Sequence, residues 1–423
     1  MRCFFAVAPA CLALATIGVA SAQGIRFLRW QQVQALTNIA GPGGKFIDFA
    51  TPAAWDTWIR QRDWEVRSRS DQLIEDWISS WIVFGTSFTS QPVLASQSDA
   101  VNAAGVLAAV ARARIDDFVK GLDTRDEERW RFVLEFLRKR RVTEEELPAY
   151  LGGILRRCAI DRANEGAATE HAPLLEDFAM SETLHILKNS GIVPAKVRRA
   201  AVIDPDVNFS GTPDGYDFVP LQSIQPFALL EAVERLDLGR ASDVQLSAVA
   251  LNPFALAHLR SISGKVRSPG RYILELPLNT AAGWNSAAMS YWNRFGELIG
   301  GPAESVPVPS SLHHVNMRAI AVKPQSAGHI AVNDLDVVAQ TIDTTPGQAF
   351  DVVVAMNAFS AYDRMEQSLA LINIAAMMNP GAILMVGGAR SAVIPAELEG
   401  LGSHHIVYSE RGLGIDVAVY RKH

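Results

Sequence analysis

The chain has 423 residues, of which 49% are hydrophobic and 20% are charged, and its formal net charge is −6. This balance is typical of a globular protein and excludes a chain that is disordered throughout. The length is too great for one ordinary core and predicts two folded regions. A mildly acidic chain has no long-range attraction to nucleic acid or to anionic lipid, so we expect no nucleic-acid partner.

The first 22 residues have the pattern of a cleavable signal peptide. Arg2 precedes an apolar run over residues 3–20, and Ala20-Ser21-Ala22 is the small-x-small pattern that signal peptidase accepts. The alternative is a membrane-anchoring helix, but the run is near the short end of the spanning range and no basic stop-transfer cluster follows it. We therefore predict cleavage after Ala22, a periplasmic or secreted protein, and no stable membrane insertion after cleavage.

Cysteine usage limits the chemistry of the mature chain. Cys3 and Cys11 lie in the predicted signal peptide, which leaves Cys158 alone. One cysteine cannot form an internal disulfide, and CxxC metal or redox sites are excluded. The two pairs of adjacent histidines would point to opposite faces of any strand, which is poor geometry for one metal ion. The sequence therefore predicts no metal site.

Residues 24 to about 165 have mostly helical patterns. Apolar side chains recur at i, i+3, i+4 and i+7 on one face of a helix predicted over residues 126–141. These side chains are Trp130, Val133, Leu134 and Leu137. Two further helices are predicted over residues 64–84 and 101–119. The region therefore has the repeated amphipathic pattern of a helical domain.

Two capping boxes indicate where helices begin, and one polar stretch indicates where the helical region ends. Thr124 with Glu127, and Thr143 with Glu146, have the spacing that starts a helix. Residues 164–173 are small and polar, which is typical of a boundary. We predict a helical N-terminal domain over residues 23–175 and an α/β domain over residues 176–423.

Beyond that boundary, short apolar runs alternate with helical patterns, as in a parallel sheet with crossover helices. Strands are predicted over residues 200–203, 244–251, 272–276, 318–322, 350–355 and 383–386, and helices over 226–236 and 365–378. Residues 404–409 and 415–420 are predicted to form a terminal antiparallel hairpin. We expect the strands near Val202 and Val353 to lie side by side and parallel.

The segment FDVVVAMNAFSAYDRMEQSLALINIAAMMNPGAILMV, residues 350–386, resembles the fourth and fifth strands of class I S-adenosylmethionine-dependent methyltransferases. Residues 198–236 lie where the first strand and the cofactor loop of that family belong. The terminal hairpin fits the family's reversed seventh strand, inserted between the fifth and sixth. More narrowly, residues 198–236 and the segment YWNRFGELIG look like a group of exported methyltransferase-like bacterial proteins of unknown role.

The resemblance covers roughly the last 225 residues, which is the size of a domain. It implies a Rossmann-like methyltransferase sheet with a terminal antiparallel hairpin, preceded by a mostly α-helical domain. It also implies S-adenosylmethionine as the cofactor, bound where ligands of open parallel sheets bind, at the carboxyl ends of the strands. At the matching positions the candidate cofactor-binding residues are Asp204, Asp206, Asn208, Asn252 and Asp334, and the candidate catalytic residues are Asn357 and Tyr362.

The chain departs from the family pattern at two of these positions. The first loop has no glycine before Gly211, and the second strand ends at Asn252, where a carboxylate is expected to bind the ribose hydroxyls. Structural roles are open for several of the residues. Asp204 and Asp206 would cap a turn, Asn252 would begin a strand-to-helix turn, and Asp334 with Asp336 would cap a helix near Leu335.

Two functions are consistent with this sequence. The first is a methyltransferase that acts on an unknown small molecule or protein. The second is a ligand-binding or structural module that keeps the methyltransferase fold and has lost cofactor binding. Export favours the second, because the methyl donor is made in the cytosol. The resemblance favours the first, although a shared fold does not establish a shared function.

Overall fold

A computed structural model describes residues 24–423, leaving out residues 35, 37–39, 42–43, 46–50, 103, 126, 165–172, 206, 208–217, 268–271, 278–282, 309–315, 329, 346 and 389–391. The predicted signal peptide, Asp206 and Asn208 therefore lie outside the described residues. The described helices include none that is both long and apolar enough to cross a membrane.

The described residues form β-strands and α-helices, with a run of helices in succession before the first strand of the central sheet. The strands are β1 (Ile25–Phe27), β2 (Ala40–Gly41), β3 (Gly44–Lys45), β4 (Arg199–Ile203), β5 (Gln245–Ala250), β6 (Ile273–Pro277), β7 (Gly300–Ala303), β8 (Met317–Val322), β9 (Ile330–Asp334), β10 (Gln340–Ile342), β11 (Phe350–Ala355), β12 (Met378–Gly387), β13 (Leu398–Val407) and β14 (Gly414–Lys422). The helices are α1 (Trp30–Val33), α2 (Pro52–Ser68), α3 (Ser70–Phe84), α4 (Ala109–Thr124), α5 (Glu128–Lys139), α6 (Leu147–Asn164), α7 (Pro173–Asn189), α8 (Gln225–Arg235), α9 (Pro253–Lys265), α10 (Ser286–Arg294), α11 (Pro324–Ala327) and α12 (Arg364–Met377).

The central sheet has seven strands in the order β13-β14-β12-β11-β4-β5-β9. Strands β9, β5, β4, β11 and β12 are parallel, and β14 runs antiparallel to both of its neighbours. Val354 lies opposite Val202 and Val353 opposite Ala201 in the parallel pair β11–β4. The predicted adjacency of these two strands is confirmed, and so is the reversed strand of the terminal hairpin.

Both faces of the sheet are covered, and this explains why the central residues of its parallel strands are mostly apolar. Ala200 and Val202 of β4 face a layer that contains α7, α8 and α9. Ala201 and Ile203 face the opposite layer, which contains α12 and the first helices of the chain. The alternation follows from the two-residue period of a strand.

A small antiparallel sheet, β6-β8-β7, is inserted between α9 and β9. Two of its strands match the predictions over residues 272–276 and 318–322, but they lie outside the central sheet. Leu274, Trp292 and Phe295 of the insert share one core with α8. The insert therefore thickens the layer on that face of the central sheet.

The start of the chain packs on the other face. Strand β1 pairs antiparallel with β10, with Ile25 opposite Ile342, and Trp55 and Ile59 of α2 are buried in the same core as Phe350. The connection from β9 to β11, residues 335–349, contains β10 and, apart from residue 346, which is not described, no helix. Helix α2 covers the surface that a crossover helix would otherwise cover. The domain boundaries at residues 23–175 and 176–423 stay a prediction.

The predicted helix near Leu335 is wrong. Residues 337–339 form a turn, in which the Asp336 carboxylate accepts a hydrogen bond from the backbone N–H of Val338 at 3.0 Å. An aspartate that bonds the amide two residues ahead stabilises a turn in place of a helix. This hydrogen-bonded turn leads directly into β10.

Helices α3 to α6 form a separate aromatic core. Helix α5 matches the predicted amphipathic pattern, since Trp130, Val133 and Leu137 are all buried. The helix predicted over residues 64–84 is instead two helices, α2 and α3, that meet at Arg69. Helix α4 begins at Ala109 and not at residue 101, because the preceding residues form a short β-bridge.

One predicted capping box is present and the other is wrong. The Glu146 carboxylate accepts a hydrogen bond from the Thr143 N–H at 3.1 Å, and the Glu146 N–H donates to Thr143 Oγ1 at 3.4 Å, just before α6. Thr124 instead ends α4, and its hydroxyl donates to the Lys120 carbonyl at 3.1 Å. A hydroxyl committed to its own helix cannot cap the next one.

Asp351, in the Phe-Asp pair that opens β11, fastens the amino ends of three strands. Its carboxylate accepts from the backbone N–H groups of Arg198 and Arg199, at 2.8 and 3.1 Å, and from Asn379 Nδ2 at 2.8 Å. Replacing Asp351 with alanine is expected to lower the free energy of unfolding by about 2 kcal/mol, since hydrogen bonds to a charged group are lost. Chemical denaturation measures the loss.

The control for this variant is Asp416→Ala. Asp416 is exposed on β14 and pairs with His405 at 2.8 Å. Exposed pairs contribute about 0–1 kcal/mol, so this variant should remain close to the wild type. Equal losses in the two variants would show that Asp351 does not fasten the strand ends.

Candidate functional site

The candidate site lies at the carboxyl edge of the central sheet, between β4 and β11. Asp204 follows β4 directly, and Asn357 lies two residues beyond β11. Asn357 Nδ2 contacts the Asp204 carbonyl at 3.5 Å, which is the long limit of a hydrogen bond. The Oδ1 atom of Asn357 is buried and accepts no hydrogen bond from the residues that the structure describes. The structure therefore brings these two predicted residues together and leaves one buried acceptor for a ligand.

The backbone at Asp204 turns sharply. Its φ of +55° lies in the left-handed region, which residues other than glycine seldom occupy. The Asp204 N–H donates to the Val249 carbonyl on β5 at 2.6 Å, and this bond fixes the bend at the end of β4. Uncommon backbone conformations of this kind concentrate at functional sites.

Asn252 has a structural role. Its Oδ1 accepts hydrogen bonds from the N–H groups of Phe254 and Ala255, at 2.9 and 3.5 Å, and so caps α9. Of the two roles open from the sequence, the strand-to-helix turn is the one that the structure contains. The acceptor expected for a ribose is engaged in the helix cap.

The two acidic residues at the end of β9 and just beyond it, Asp334 and Asp336, are both engaged by arginines of α2. Arg67 Nη1 lies 2.9 Å from Asp334 Oδ1, and Arg62 Nε lies 2.8 Å from Asp336 Oδ2. Arg62 also contacts Glu366, in the first turn of α12. The predicted adenine-side position is therefore occupied by ion pairs within the chain.

Tyr362 follows a 3-10 turn, Phe359–Ala361, and leads into α12. Burial raises its pKa well above the ordinary value, and the neighbouring carboxylates of Asp204 and Asp336 raise it further. The phenol keeps its proton at neutral pH. In this form it can donate a hydrogen bond.

Aromatic side chains cover the ends of β4 and β5. Val207, just beyond β4, is buried in a cluster with Leu221 and Phe254, and Trp77 and Phe132 pack against that cluster. The rings of Trp77 and Phe254 have centroids 4.2 Å apart. Helices α3 and α5 therefore pack against residues that follow β4 and β5, a contact that no local sequence pattern indicated.

A buried polar chain connects α5 with the segment that enters α8. Glu128 contacts His258 Nδ1 at 3.2 Å, and His258 Nε2 lies 2.9 Å from the hydroxyl of Tyr272. That hydroxyl accepts from the Ser223 N–H at 2.9 Å. Burial lowers the pKa of His258 and raises that of Tyr272. No sequence pattern indicates this polar chain, because its members lie on four segments that are separate in sequence.

Two other features of the described residues concern metal binding and the insert. The described residues contain no group of three or more histidine, cysteine, aspartate or glutamate side chains that could hold a metal ion. An open cleft of ≈ 470 Å³ lies on the insert, lined mainly by β7 and β8, and none of the predicted site residues borders it. Its lining includes Lys323 and is otherwise apolar or glycine.

No family model and no curated protein sequence matches the chain. Among solved structures, the chain is similar to the N-methyltransferase NodS from Bradyrhizobium japonicum WM9, at 11% identity over 58% of this chain and 96% of that one, with a TM-score of 0.29. For the CcbJ methyltransferase from Streptomyces caelestis, the identity is 11%, the match covers 62% of this chain and 95% of that one, and the TM-score is 0.29. For magnesium protoporphyrin IX methyltransferase from Synechocystis PCC 6803, with bound S-adenosylmethionine, the identity is 7%, the match covers 62% of this chain and 91% of that one, and the TM-score is 0.28.

The strand order of the central sheet is what identifies the fold. From the centre of the sheet, strands β4, β5 and β9 follow one another in chain order towards one edge. Strands β11 and β12 follow in chain order towards the other edge, where the reversed strand β14 lies between β12 and β13. The fold is the Rossmann-like methyltransferase fold. The order reverses between β4 and β11, where ligands of such sheets bind, and this is where Asp204 and Asn357 meet.

Proposed function

We propose that the chain is an exported methyltransferase that binds S-adenosylmethionine between β4 and β11. The observation that carries the proposal is the buried Oδ1 of Asn357 beside Asp204, which has no donor among the described residues and lies where the strand order reverses. A buried acceptor without a donor costs free energy, and a ligand donor would recover it. The methyl acceptor is an unknown small molecule or protein.

The residues fit one end of this cofactor better than the other. At the amino-acid end, Asn357 and Asp204 present oxygen acceptors suited to an ammonium group. At the nucleoside end, Asn252 caps a helix, while Asp334 and Asp336 pair with arginines. The fit therefore supports binding through the amino-acid end, with the nucleoside end opposed by contacts within the chain.

When bound, S-adenosylmethionine would supply an electrophilic methyl group on a sulfonium. The contribution of the chain would be positioning, as is sufficient for in-line displacement. Tyr362 would act as a hydrogen-bond donor at the crevice, because burial keeps its phenol protonated. Asn357 would orient the ligand through its free oxygen.

The second candidate function is a module that keeps the fold without cofactor chemistry. The arginine pairs to Asp334 and Asp336 favour it, because they satisfy the polar groups of the nucleoside side from within the protein. The predicted export favours it as well. Such a module would bind another ligand at the carboxyl edge or serve only as a scaffold.

Calorimetric titration with S-adenosylhomocysteine separates the two functions. The protein without residues 1–22 is expected to bind with micromolar affinity. Asn357→Ala should weaken that binding by about tenfold or more, since a hydrogen bond to a charged group contributes about 1.5–3 kcal/mol. Asn189→Ala is the matched control, because Asn189 is exposed at the far end of α7. Absence of heat at millimolar ligand would contradict the enzyme and favour the module.

A further inference from the structure

Two successive residues in front of α8 are fastened to the insert. The Gln222 side chain donates to the Glu275 carbonyl at 2.7 Å and accepts from the Glu275 N–H at 2.6 Å. The Ser223 N–H donates to the hydroxyl of Tyr272 at 2.9 Å. Both Gln222 and Ser223 are fully buried. These contacts fix the backbone at the start of α8, the helix that follows β4 and whose start faces the ligand side of such a sheet.

The polar chain behind Ser223 has a single direction. The Glu128 carboxylate is paired with Lys265, so it only accepts hydrogen bonds, and it accepts from His258 Nδ1 at 3.2 Å. Burial lowers the pKa of His258, so the ring is neutral and its Nε2 carries no proton. The Tyr272 hydroxyl, 2.9 Å away, therefore donates to Nε2, while its oxygen accepts from Ser223. Each hydrogen bond depends on the next one, back to α5.

Helix α5 contacts the same segment at a second point. Arg129 Nη2 donates to the Val219 carbonyl at 3.1 Å. Arg129 follows Glu128 directly, so the first turn of α5 supplies both contacts. The helical region therefore holds residues 219–223 in one position.

The hydroxyl of Ser223 makes none of these contacts. Its Oγ atom is buried and has no partner among the described residues, and Oε1 of Gln225, the first residue of α8, is in the same state. Leu221 of the same segment packs in one buried cluster with Val207, which lies just beyond Asp204 in sequence. A buried hydroxyl without a partner costs free energy that a ligand group would recover, and this one lies beside the candidate site.

We propose that Ser223 binds the ligand through its hydroxyl, and that the polar chain from Tyr272 to Glu128 positions it. The inference rests on the proposed function, and it adds a binding residue and a role for the helical region. The ligand contributes a hydrogen-bonding group at the start of α8, where the hydroxyl can donate or accept. Tyr272, His258 and Glu128 do not touch the ligand and act through Ser223.

Calorimetric titration with S-adenosylhomocysteine tests the binding role. Ser223→Ala and Tyr272→Phe should each weaken binding about fivefold, the size of one hydrogen bond between neutral groups. Because Tyr272 acts through Ser223, the double variant should also lose about fivefold, and not the roughly 25-fold loss of independent sites. Tyr150→Phe is the matched control, since it removes a hydroxyl bonded to Glu75 in the helical core and should leave the affinity unchanged. Wild-type affinity in Ser223→Ala, or additive losses in the double variant, would overturn the inference.

Nuclear magnetic resonance of nitrogen-labelled histidine rings tests the direction of the polar chain without any ligand. His258 should carry a proton on Nδ1 and none on Nε2 at neutral pH, and the signals absent from His258→Gln identify its ring. A proton on Nε2 contradicts the positioning role. If the wild type binds the ligand and Ser223→Ala binds it equally, only this inference fails. If the wild type does not bind, the proposed function fails, and the ring spectrum decides on the positioning chain.

Discussion

Replacing Glu128 with glutamine is expected to lower the free energy of unfolding by about 3 kcal/mol at pH 7. The Glu128 carboxylate begins α5 and contacts Lys265 and His258 on α9, and Ser261 donates to it at 3.1 Å. The amide would keep some of the hydrogen bonds but would leave the Lys265 ammonium without its counter-charge. Chemical denaturation followed by tryptophan fluorescence measures the loss.

The loss should depend on pH in a defined direction. Burial opposes ionisation of Glu128, but the hydrogen bond from His258 and the ammonium of Lys265 outweigh it, and the pKa of Glu128 falls from 4.5 to about 2. The unfolded chain binds this proton first on acidification, so the stabilisation is complete above pH 4.5 and is lost towards pH 2. The difference between wild type and Glu128→Gln should shrink to about 1 kcal/mol near pH 3.

His258 adds a second loss of stability at acidic pH, which Glu128→Gln should retain. Burial lowers its pKa below the ordinary value of 6.5. The unfolded state again takes up the proton first, so both proteins should lose stability as the pH falls below about 6.5. A difference between the two proteins that stays constant from pH 7 to pH 3 would show that the Glu128 carboxylate is not the stabilising group.

Glu127→Gln is the matched control for this pair of measurements. Glu127 is the neighbouring residue, is exposed, and makes no side-chain capping bond at the start of α5. Its removal should cost less than about 1 kcal/mol, the usual size of an exposed charge at a helix end. A loss equal to that of Glu128→Gln would assign the effect to helix charge and not to the buried contact.

The sheet was predictable because its information is local. The run at Phe350–Ala355 is apolar except for Asp351, and both faces of β11 are buried in the fold, so the pattern and the environment agree. The helix of residues 226–236 and the terminal hairpin follow from equally local periodicity and turn residues. The wrong prediction, a helix near Leu335, was also based on a local pattern. Asp336 has the spacing of a helix cap, but its partner Arg62 is 274 residues away in sequence.

The candidate site was predictable only in outline. Motif and topology place Asp204 and Asn357 at one edge, and the structure brings them into contact. Asn252 has the chemistry of both a ribose ligand and a helix cap, and only the position of the Phe254 N–H decides between them. Trp77 and Arg62 belong to helices whose place over the sheet is set by tertiary packing, and no periodicity within a helix reports that placement.

Replacing Arg114 with methionine is expected to lower the free energy of unfolding by about 4 kcal/mol. The Arg114 side chain is fully buried on α4, and its guanidinium donates to the carbonyl groups of Ile82, Gly85, Gln91 and Pro92. It also lies over the ring of Phe88, 5.3 Å from the centroid. Methionine fills much of the volume but donates nothing, so the carbonyl groups of the loop after α3 would be buried without donors. Thermal and chemical unfolding measure the loss.

Arg112→Met on the same helix isolates the effect of burial. Arg112 is exposed and donates to the Leu107 carbonyl at 2.7 Å, so its loss should cost less than about 1 kcal/mol. Arg114→Lys should recover only part of the stability, because a single ammonium cannot match a planar fork of donors. If Arg114→Met and Arg112→Met lose equal stability, the charge of α4 and not the buried fork is responsible. The two arginines are two residues apart on one helix, so only the fold distinguishes them.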